Sequence, residues 1–163
     1  MPNIPYTWSK KGEQVEYSSS KKMALKVLGF LDPVTDHLVT YPLGEKEKMN
    51  SEVFCKFMDD FSLQNEDLKV VILDNATYHK SAFTQSHFEQ WEQRGLFLFF
   101  LPPRCPHLNL IETLWRKIKY EWLGTKDYYS EKTLKKKVCQ ILKSFGDNDY
   151  NIEFSMNIFN QNN

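Results

Sequence analysis

Long hydrophobic runs are absent from this 163-residue chain. No stretch of about 18 apolar residues occurs, so no segment is expected to cross a membrane. The opening residues, MPNIPYTWSKKGEQ, lack the apolar core of a secretory signal. Cysteine is scarce, and Cys55, Cys105 and Cys139 match neither the spacing of zinc ligands nor a disulfide framework. Together these absences predict a protein of a reducing, cytoplasmic compartment.

Two phosphate-handling motifs are also missing. The chain has no glycine-rich phosphate loop, which argues against a nucleoside triphosphatase. Position 76, two residues after Asp74, is alanine, so the DxD pair of an aspartyl-phosphate mechanism is absent. The composition, 41% hydrophobic and 26% charged, excludes a disordered chain or a collagen-like repeat.

The net charge of zero conceals an uneven distribution. Residues 31–102 contain six Lys and Arg against twelve Asp and Glu, whereas residues 103–143 contain ten against four. The basic segment is a weak indication of a polyanionic partner. Solvated helical faces are the alternative, and on charge alone they are the more common cause.

Hydrophobic periodicity predicts one α/β domain over residues 1–163. The predicted strands are residues 23–31, 37–41, 69–73 and 96–101, the first two joined by a hairpin turn at 32–36. The first predicted helix starts after an Asn50 cap. Three further helices are predicted over about residues 83–94, 110–122 and 130–145. The last two strands are near-continuous apolar runs, a pattern typical of strands buried on both faces. This order predicts a mixed sheet flanked by helices.

Two carboxylates stand out by position. Asp74 follows the strand 69–73, at the edge where α/β sheets commonly bind ligands, although for this residue alone a helix cap or turn aspartate is the more common explanation. Glu112 opens the helix 110–122 at the border of its apolar face, where the helix dipole or a pair with Arg116 would also favour it. Together they suit Mg²⁺, which takes one or two protein carboxylates and keeps its waters. Paired Mg²⁺ ions clamp the attacking and leaving oxygens of phosphoryl transfer.

At this point the residues carry a family resemblance. The stretch VVILDNATYHKS (70–81) resembles the second catalytic block of DDE transposases, specifically the mariner-like bacterial insertion-sequence members. LFLFFLPPRCPHLNLIETLWRKIKYEWL (96–123) resembles their third block, LPPYSPxLNxIExxWxxIK, with Arg104 and Cys105 replacing its tyrosine and serine. The front segment 2–14 and the tail 141–154 are also similar to the family, so the resemblance covers nearly the whole chain.

The resemblance implies an RNase H-like fold with an acidic triad that binds two Mg²⁺ or Mn²⁺ ions. Such a site cleaves DNA and transfers its strands at the ends of an insertion sequence. Asp74 matches the second aspartate and Glu112 the final glutamate, which makes both of them catalytic residues and metal ligands. The resemblance gives supporting roles to neighbours of these ligands, namely Asn75, His79 and Asn109. For Asn109 a helix cap, and for His79 a surface position, are the alternatives.

The same resemblance implies that an essential part is missing. In relatives the first catalytic aspartate lies on a strand shortly before the segment that matches residues 2–8, whereas this chain starts at Met1. None of the acids near the front falls on such a strand, which excludes Glu13, Glu16, Asp32 and Asp36. We therefore expect a catalytic domain that is incomplete at its N-terminus and inactive alone. Without the first strand, its neighbours in the sheet would each lose a pairing partner.

The expected partner is DNA, at insertion-sequence ends and target sites, which implies association with the nucleoid. A homodimer or an upstream-encoded N-terminal half would supply the missing part. The alternative is a non-enzymatic remnant that binds DNA weakly and without sequence preference. Its contacts would come from basic side chains after Glu112, first Arg116, Lys117 and Lys119, then Lys126, Lys132, Lys135, Lys136 and Lys137.

Overall fold

The computed structural model describes residues 10–12, 24–44, 46–64 and 67–154. Most of the front segment 2–14, including Glu13, lies outside these ranges, as does Glu16. The chain divides into two compact units. The strand unit comprises Ala24–Phe30 and Val39–Thr113, and the C-terminal unit comprises Met1–Met23, Leu31–Leu38 and Leu114–Asn163. That residues 1–163 act as one domain stays a prediction.

The first two strands form the predicted hairpin. Strand β1 covers Val27–Asp32, strand β2 covers His37–Pro42, and they are hydrogen-bonded neighbours. Leu43 N donates to Lys26 O over 2.9 Å, which joins the start of β1 to the end of β2 and makes the pair antiparallel. The predicted start of β1 at residue 23 lies outside the described ranges, and β1 begins at Val27.

Helix α1, Ser51–Leu63, begins where the cap predicts. The Asn50 side chain accepts a hydrogen bond from Val53 N over 2.9 Å and thereby satisfies one of the free amides of the first turn. Phe54, Phe57 and Met58 follow the helical spacing and are buried in the core of the strand unit.

Strands β3, Lys69–Leu73, and β4, Leu96–Phe100, pair in parallel, so that Leu73 lies opposite Phe100. Gly95 precedes β4 with a φ of 78°, a left-handed conformation that glycine adopts without steric cost. Its carbonyl accepts from Lys69 N over 2.8 Å, which fixes the register at the start of both strands. The positions of both predicted strands are confirmed.

The burial predicted for these two strands is wrong. Val71, Leu73 and Leu96 belong to the core, but the opposite face is exposed, with relative exposures of 67% for Val70 and 55% for Ile72. Their partners in the register, Phe97 and Phe99, are exposed as well. Among the described residues, β1–β2 and β3–β4 also form two separate two-stranded sheets and not one mixed sheet. The chain is a mixed α/β structure, and the RNase H-like sheet stays a prediction.

The predicted helix 83–94 is divided into α2, Ala82–Gln85, and α3, Phe88–Gln93. The carbonyl of Phe83 accepts from Ser86 Oγ over 2.7 Å and lies 2.8 Å from His87 Nδ1. The His87 amide bonds instead to Thr84 O over 3.1 Å. Side-chain bonds thus compete with the backbone bond that would continue the helix.

After a short 3₁₀ turn at Pro106–Leu108, helix α4 covers Leu110–Lys117 and passes into a π-helical turn at Ile118–Trp122. A 3₁₀ helix, Thr125–Tyr129, leads to helix α5, Glu131–Lys143, which ends two residues before the predicted boundary. Within the C-terminal unit, α5 packs against Ile118–Trp122 and Thr125–Tyr129. Its buried side chains are Leu134, Val138, Ile141 and Leu142. In the part of the chain that the structure describes, no helix is both long and apolar enough to span a membrane.

Candidate active site

Asp74 is the first residue after β3, and about half of its side chain is exposed. Its Oδ1 accepts a hydrogen bond from Ala76 N over 3.0 Å, so the carboxylate does stabilise a turn. The same oxygen lies 2.9 Å from His79 Nδ1. Both of these bonds are made by the same oxygen, so the other carboxylate oxygen of Asp74 takes no part in them. The side chain can therefore stabilise the turn and still be partly exposed.

His79 ends a 3₁₀ turn, Thr77–His79, and is only 6% exposed. It is therefore not a surface histidine. Its ring packs 4.5 Å from the ring of Phe54 and 4.4 Å from the ring of Tyr78. Burial lowers the pKa of His79, while the bonds to Asp74 partly oppose that effect. A neutral ring that carries its proton on Nδ1 donates to Asp74.

Asn75 connects the ends of the two parallel strands. Its Nδ2 donates to Leu101 O over 2.6 Å, and Leu101 N donates to Leu73 O over 2.8 Å. The side chain therefore holds the segment after β3 against the segment after β4. This is a positioning role, with the amide directed at the backbone.

Glu112 lies in the first turn of α4 with an exposed side chain. Its amide donates to the carbonyl of Asn109 over 3.0 Å, a bond of 3₁₀ type that tightens the first turn of the helix. A carboxylate in this turn is favoured by the helix dipole. Glu112 therefore lies at the N-terminus of α4, after the loop that follows β4, and belongs to the strand unit.

Both candidate ligands affect the pKa of Tyr78, which lies in the turn after Asp74. Burial raises the pKa of Tyr78, and the negative charges of Asp74 and then Glu112 raise it further. Both carboxylates therefore lie within electrostatic reach of one half-buried hydroxyl. The sequence motif did not single out Tyr78, because an aromatic residue between two polar ones has no distinctive spacing.

Thr84, in α2, holds the backbone of the 3₁₀ turn Thr77–His79 through a hydrogen bond. It is fully buried, and its hydroxyl donates to Tyr78 O over 2.6 Å. Ser81 Oγ lies 3.0 Å from the same hydroxyl, and Cys55 Sγ lies 3.6 Å from it. Sequence reasoning missed Thr84 too, because its role depends on contacts made only in the folded chain.

The donor set can be compared with what a divalent cation requires. In the described ranges no group of three or more His, Cys, Asp or Glu side chains is arranged to hold a metal ion. Mg²⁺ keeps several water ligands and takes only one or two protein carboxylates, and Mn²⁺ prefers the same oxygen ligands, so Asp74 and Glu112 have the right chemistry for either ion. That the two side chains hold one ion together stays a prediction.

The basic residues predicted to contact DNA follow Glu112 along the chain and belong to the C-terminal unit. Arg116 and Lys119 are exposed, and Lys119 Nζ lies 5.0 Å from the ring centroid of Tyr120. Lys117 pairs with Glu121 over 2.8 Å, so part of its charge is already compensated. Arg116 and Lys119 are the more available of the three.

Comparison with known proteins supports the sequence motifs. A family model described as DDE superfamily endonuclease matches residues 1–135, a range that contains Asp74, His79 and Glu112. A search of curated proteins found no match. Because the match covers well over half of the 163 residues, the chain belongs to the DDE superfamily endonuclease family.

Proposed function

We propose that Asp74 and Glu112 hold a divalent cation, Mg²⁺ or Mn²⁺, in the DNA cleavage and strand-transfer site of a mariner-like insertion-sequence transposase. Family membership already indicates a transposase-type endonuclease that acts on DNA and requires a divalent metal. The observation that supports the placement of the metal is the parallel pairing of β3 and β4, because ligands commonly bind at the carboxyl ends of such strands. Asp74 directly follows β3, and Glu112 lies in the same unit after the loop that leaves β4.

The residues around the carboxylates would keep them in place. His79 holds Asp74 Oδ1, and Asn75 fixes the backbone on which Asp74 lies. A cation bound there would polarise the scissile phosphate and activate the attacking hydroxyl. Tyr78 keeps its proton, because burial and two nearby negative charges raise its pKa, so its hydroxyl can donate to a phosphate oxygen.

The third carboxylate, in this proposal, comes from outside the described residues. The support is that no group of three or more His, Cys, Asp or Glu side chains is arranged to hold a metal ion within the described ranges. An upstream-encoded segment or a second copy of the chain would supply it at the nucleoid. Arg116, Lys117 and Lys119 would then contact phosphates of the insertion-sequence ends. We therefore expect this chain alone, with Mg²⁺ or Mn²⁺, not to cleave DNA.

Mn²⁺ binding, followed by electron paramagnetic resonance, tests the metal site. We expect Asp74→Asn and Glu112→Gln each to weaken binding by about tenfold or more, the loss typical even of residues that only orient a ligand. Asp60→Asn is the matched control, since Asp60 is an exposed carboxylate of α1. Circular dichroism establishes that the variants fold. Unchanged affinity in Asp74→Asn or Glu112→Gln would contradict the proposed site.

Nicking of supercoiled plasmid DNA tests the proposed dependence on a third ligand. The 163-residue chain should leave the plasmid intact in Mg²⁺ and in Mn²⁺. Nicking that Asp74→Asn abolishes would prove this part of the proposal wrong while supporting the metal site. The nucleotide sequence upstream of Met1 is a second test, because an in-frame or once-shifted strand ending in Asp-Glu would supply the ligand.

A non-enzymatic transposase remnant that binds DNA without sequence preference is the second candidate function. The observation that favours it is that no group of three or more His, Cys, Asp or Glu side chains in the described part of the chain is arranged to hold a metal ion. The two candidates differ in the metal assay. A remnant that has lost its metal site would bind Mn²⁺ no better than Asp74→Asn does, whereas the proposed catalytic portion binds it more tightly.

A further inference from the structure

We propose that an exposed lysine face on helix α5 binds the phosphate backbone of duplex DNA. The face, here named the α5 lysine face, consists of Lys132, Lys135, Lys136 and Lys143. Lys136 and Lys143 lie beyond residue 135, where the family match ends. The proposal rests on the proposed function only for the choice of DNA as the polyanion.

The helix places these four side chains together. At 100° per residue, their positions fall within an arc of about 100° on one side of α5. A neighbouring side of the helix, centred about 120° from the lysines, is buried in the C-terminal unit through Leu134, Val138, Ile141 and Leu142. Packing therefore fixes the rotation of the helix, and all four lysines are exposed to solvent.

The charge of this face is not compensated by an ion pair with any of the described residues. Among the residues that the structure describes, none of the four ammonium groups lies within ion-pair distance of a carboxylate. Lys137 provides an internal contrast, since it is half-buried and its Nζ donates to Tyr150 Oη over 2.7 Å. The one acid of α5, Glu131, lies in the first turn, where the helix dipole favours it.

The dimensions of the face suit a nucleic-acid backbone. Eleven residues separate Lys132 from Lys143, which corresponds to about 16 Å along the helix axis. Phosphates of one DNA strand follow each other every 3.4 Å or so along the duplex axis, so a rigid row of this length can face about five of them. Each phosphate that a lysine neutralises releases counterions, which is the main source of sequence-independent affinity.

A membrane surface is a poorer fit for the same charges. Basic helices that lie on bilayers insert an apolar face between the lipid headgroups. In α5 that face is already buried by the fold, so only the charged side is available. Membership in an endonuclease family whose substrate is DNA favours DNA over RNA.

The test measures how the affinity of the full chain for a 20-base-pair DNA duplex depends on salt, by fluorescence anisotropy in EDTA. The test variant carries Lys→Gln at all four positions of the α5 lysine face. The matched control carries Lys→Gln at four exposed lysines of the strand unit, Lys26, Lys46, Lys48 and Lys56. Both variants lose the same charge, and glutamine is a good helix former.

We expect the slope of log K against log salt to become shallower by about 2 to 4 in the test variant, since each lost phosphate contact removes roughly 0.9. The control should change the slope by less than about 1. Equal changes in both variants, or no change in either, would overturn the proposal. Tighter binding to duplex RNA or to vesicles of anionic lipid than to DNA would overturn it as well.

The assay separates this proposal from the metal site. Because EDTA removes divalent cations, Asp74→Asn should leave the salt slope unchanged even if the Asp74–Glu112 site is real. Conversely, the lysine variant should keep the Mn²⁺ affinity of the unmodified chain. Each proposal can therefore fail without the other.

Discussion

The imidazole of His79 holds the carboxylate of Asp74, with Nδ1 2.9 Å from Oδ1 of the aspartate and 3.2 Å from its carbonyl oxygen. The ring itself is packed against Phe54 at a centroid distance of 4.5 Å. The direction of a candidate metal ligand is thus fixed by a side chain that belongs to the core. This arrangement joins helix α1, which carries Phe54, to the turn after β3.

Two substitutions at His79 separate its hydrogen bond from its packing. His79→Phe keeps an aromatic ring against Phe54 but removes the donor to Asp74, so we expect Mn²⁺ affinity to fall about tenfold, as for other residues that orient metal ligands. His79→Asn keeps a donor near the position of Nδ1 and loses most of the ring. It should retain more of the affinity and lose more stability than His79→Phe.

Electron paramagnetic resonance with Mn²⁺ and urea unfolding measure the two effects on the same proteins. If His79 acted only through packing, the variant that loses more stability would also lose more Mn²⁺ affinity. If His79→Phe binds Mn²⁺ as tightly as the unmodified chain does, His79 does not position the ligand.

Thr84→Val tests the buried hydroxyl under the same turn. The substitution preserves the shape of the side chain but leaves the carbonyl of Tyr78 without its 2.6 Å donor. A buried polar group that loses its partner costs about 1–3 kcal/mol, which should appear as a lower midpoint of urea unfolding. Thr84→Ser is the control, because it keeps the hydroxyl and loses one methyl group, worth about 1 kcal/mol. A smaller loss in Thr84→Val than in Thr84→Ser would show that this bond contributes little.

The elements that were predicted well are those whose signals are local. The Asn50 cap and the positions of β3 and β4 depend on signals within a few residues, and the structure confirms them. The break between α2 and α3 was missed because Ser86 and His87 compete for the carbonyl of Phe83, which hydrophobic periodicity does not report.

Burial of the second face of β3 and β4 was predicted wrongly for a different reason. An apolar run indicates that a strand can be covered on both faces, but it does not say whether a covering element is present. Val70 and Ile72 are exposed because, in the described part of the chain, core helices such as α1 pack on the face of Val71 and Leu73. For the candidate site, the motif indicated Asp74 and Glu112, whereas the effect of both carboxylates on the pKa of Tyr78 could be recognised only in the folded chain.

The turn between β1 and β2 gives a stability that depends on pH. The hydrogen bond from Thr35 Oγ1, 2.7 Å long, lowers the pKa of Asp32 below its ordinary value of 3.8, and the bond from Val34 N lowers it further. A carboxylate whose pKa is lowered by folding stabilises the native state above pH 3.8, and this contribution is lost as pH falls through the lowered pKa.

NMR titration of the carboxyl carbon should therefore place the pKa of Asp32 below 3.8. Thr35→Val removes the largest cause and should return the pKa toward that value, whereas Thr40→Val in the adjacent strand should leave it unchanged. An Asp32 that titrates at its ordinary pKa in the unmodified chain would show that the turn does not hold its carboxylate.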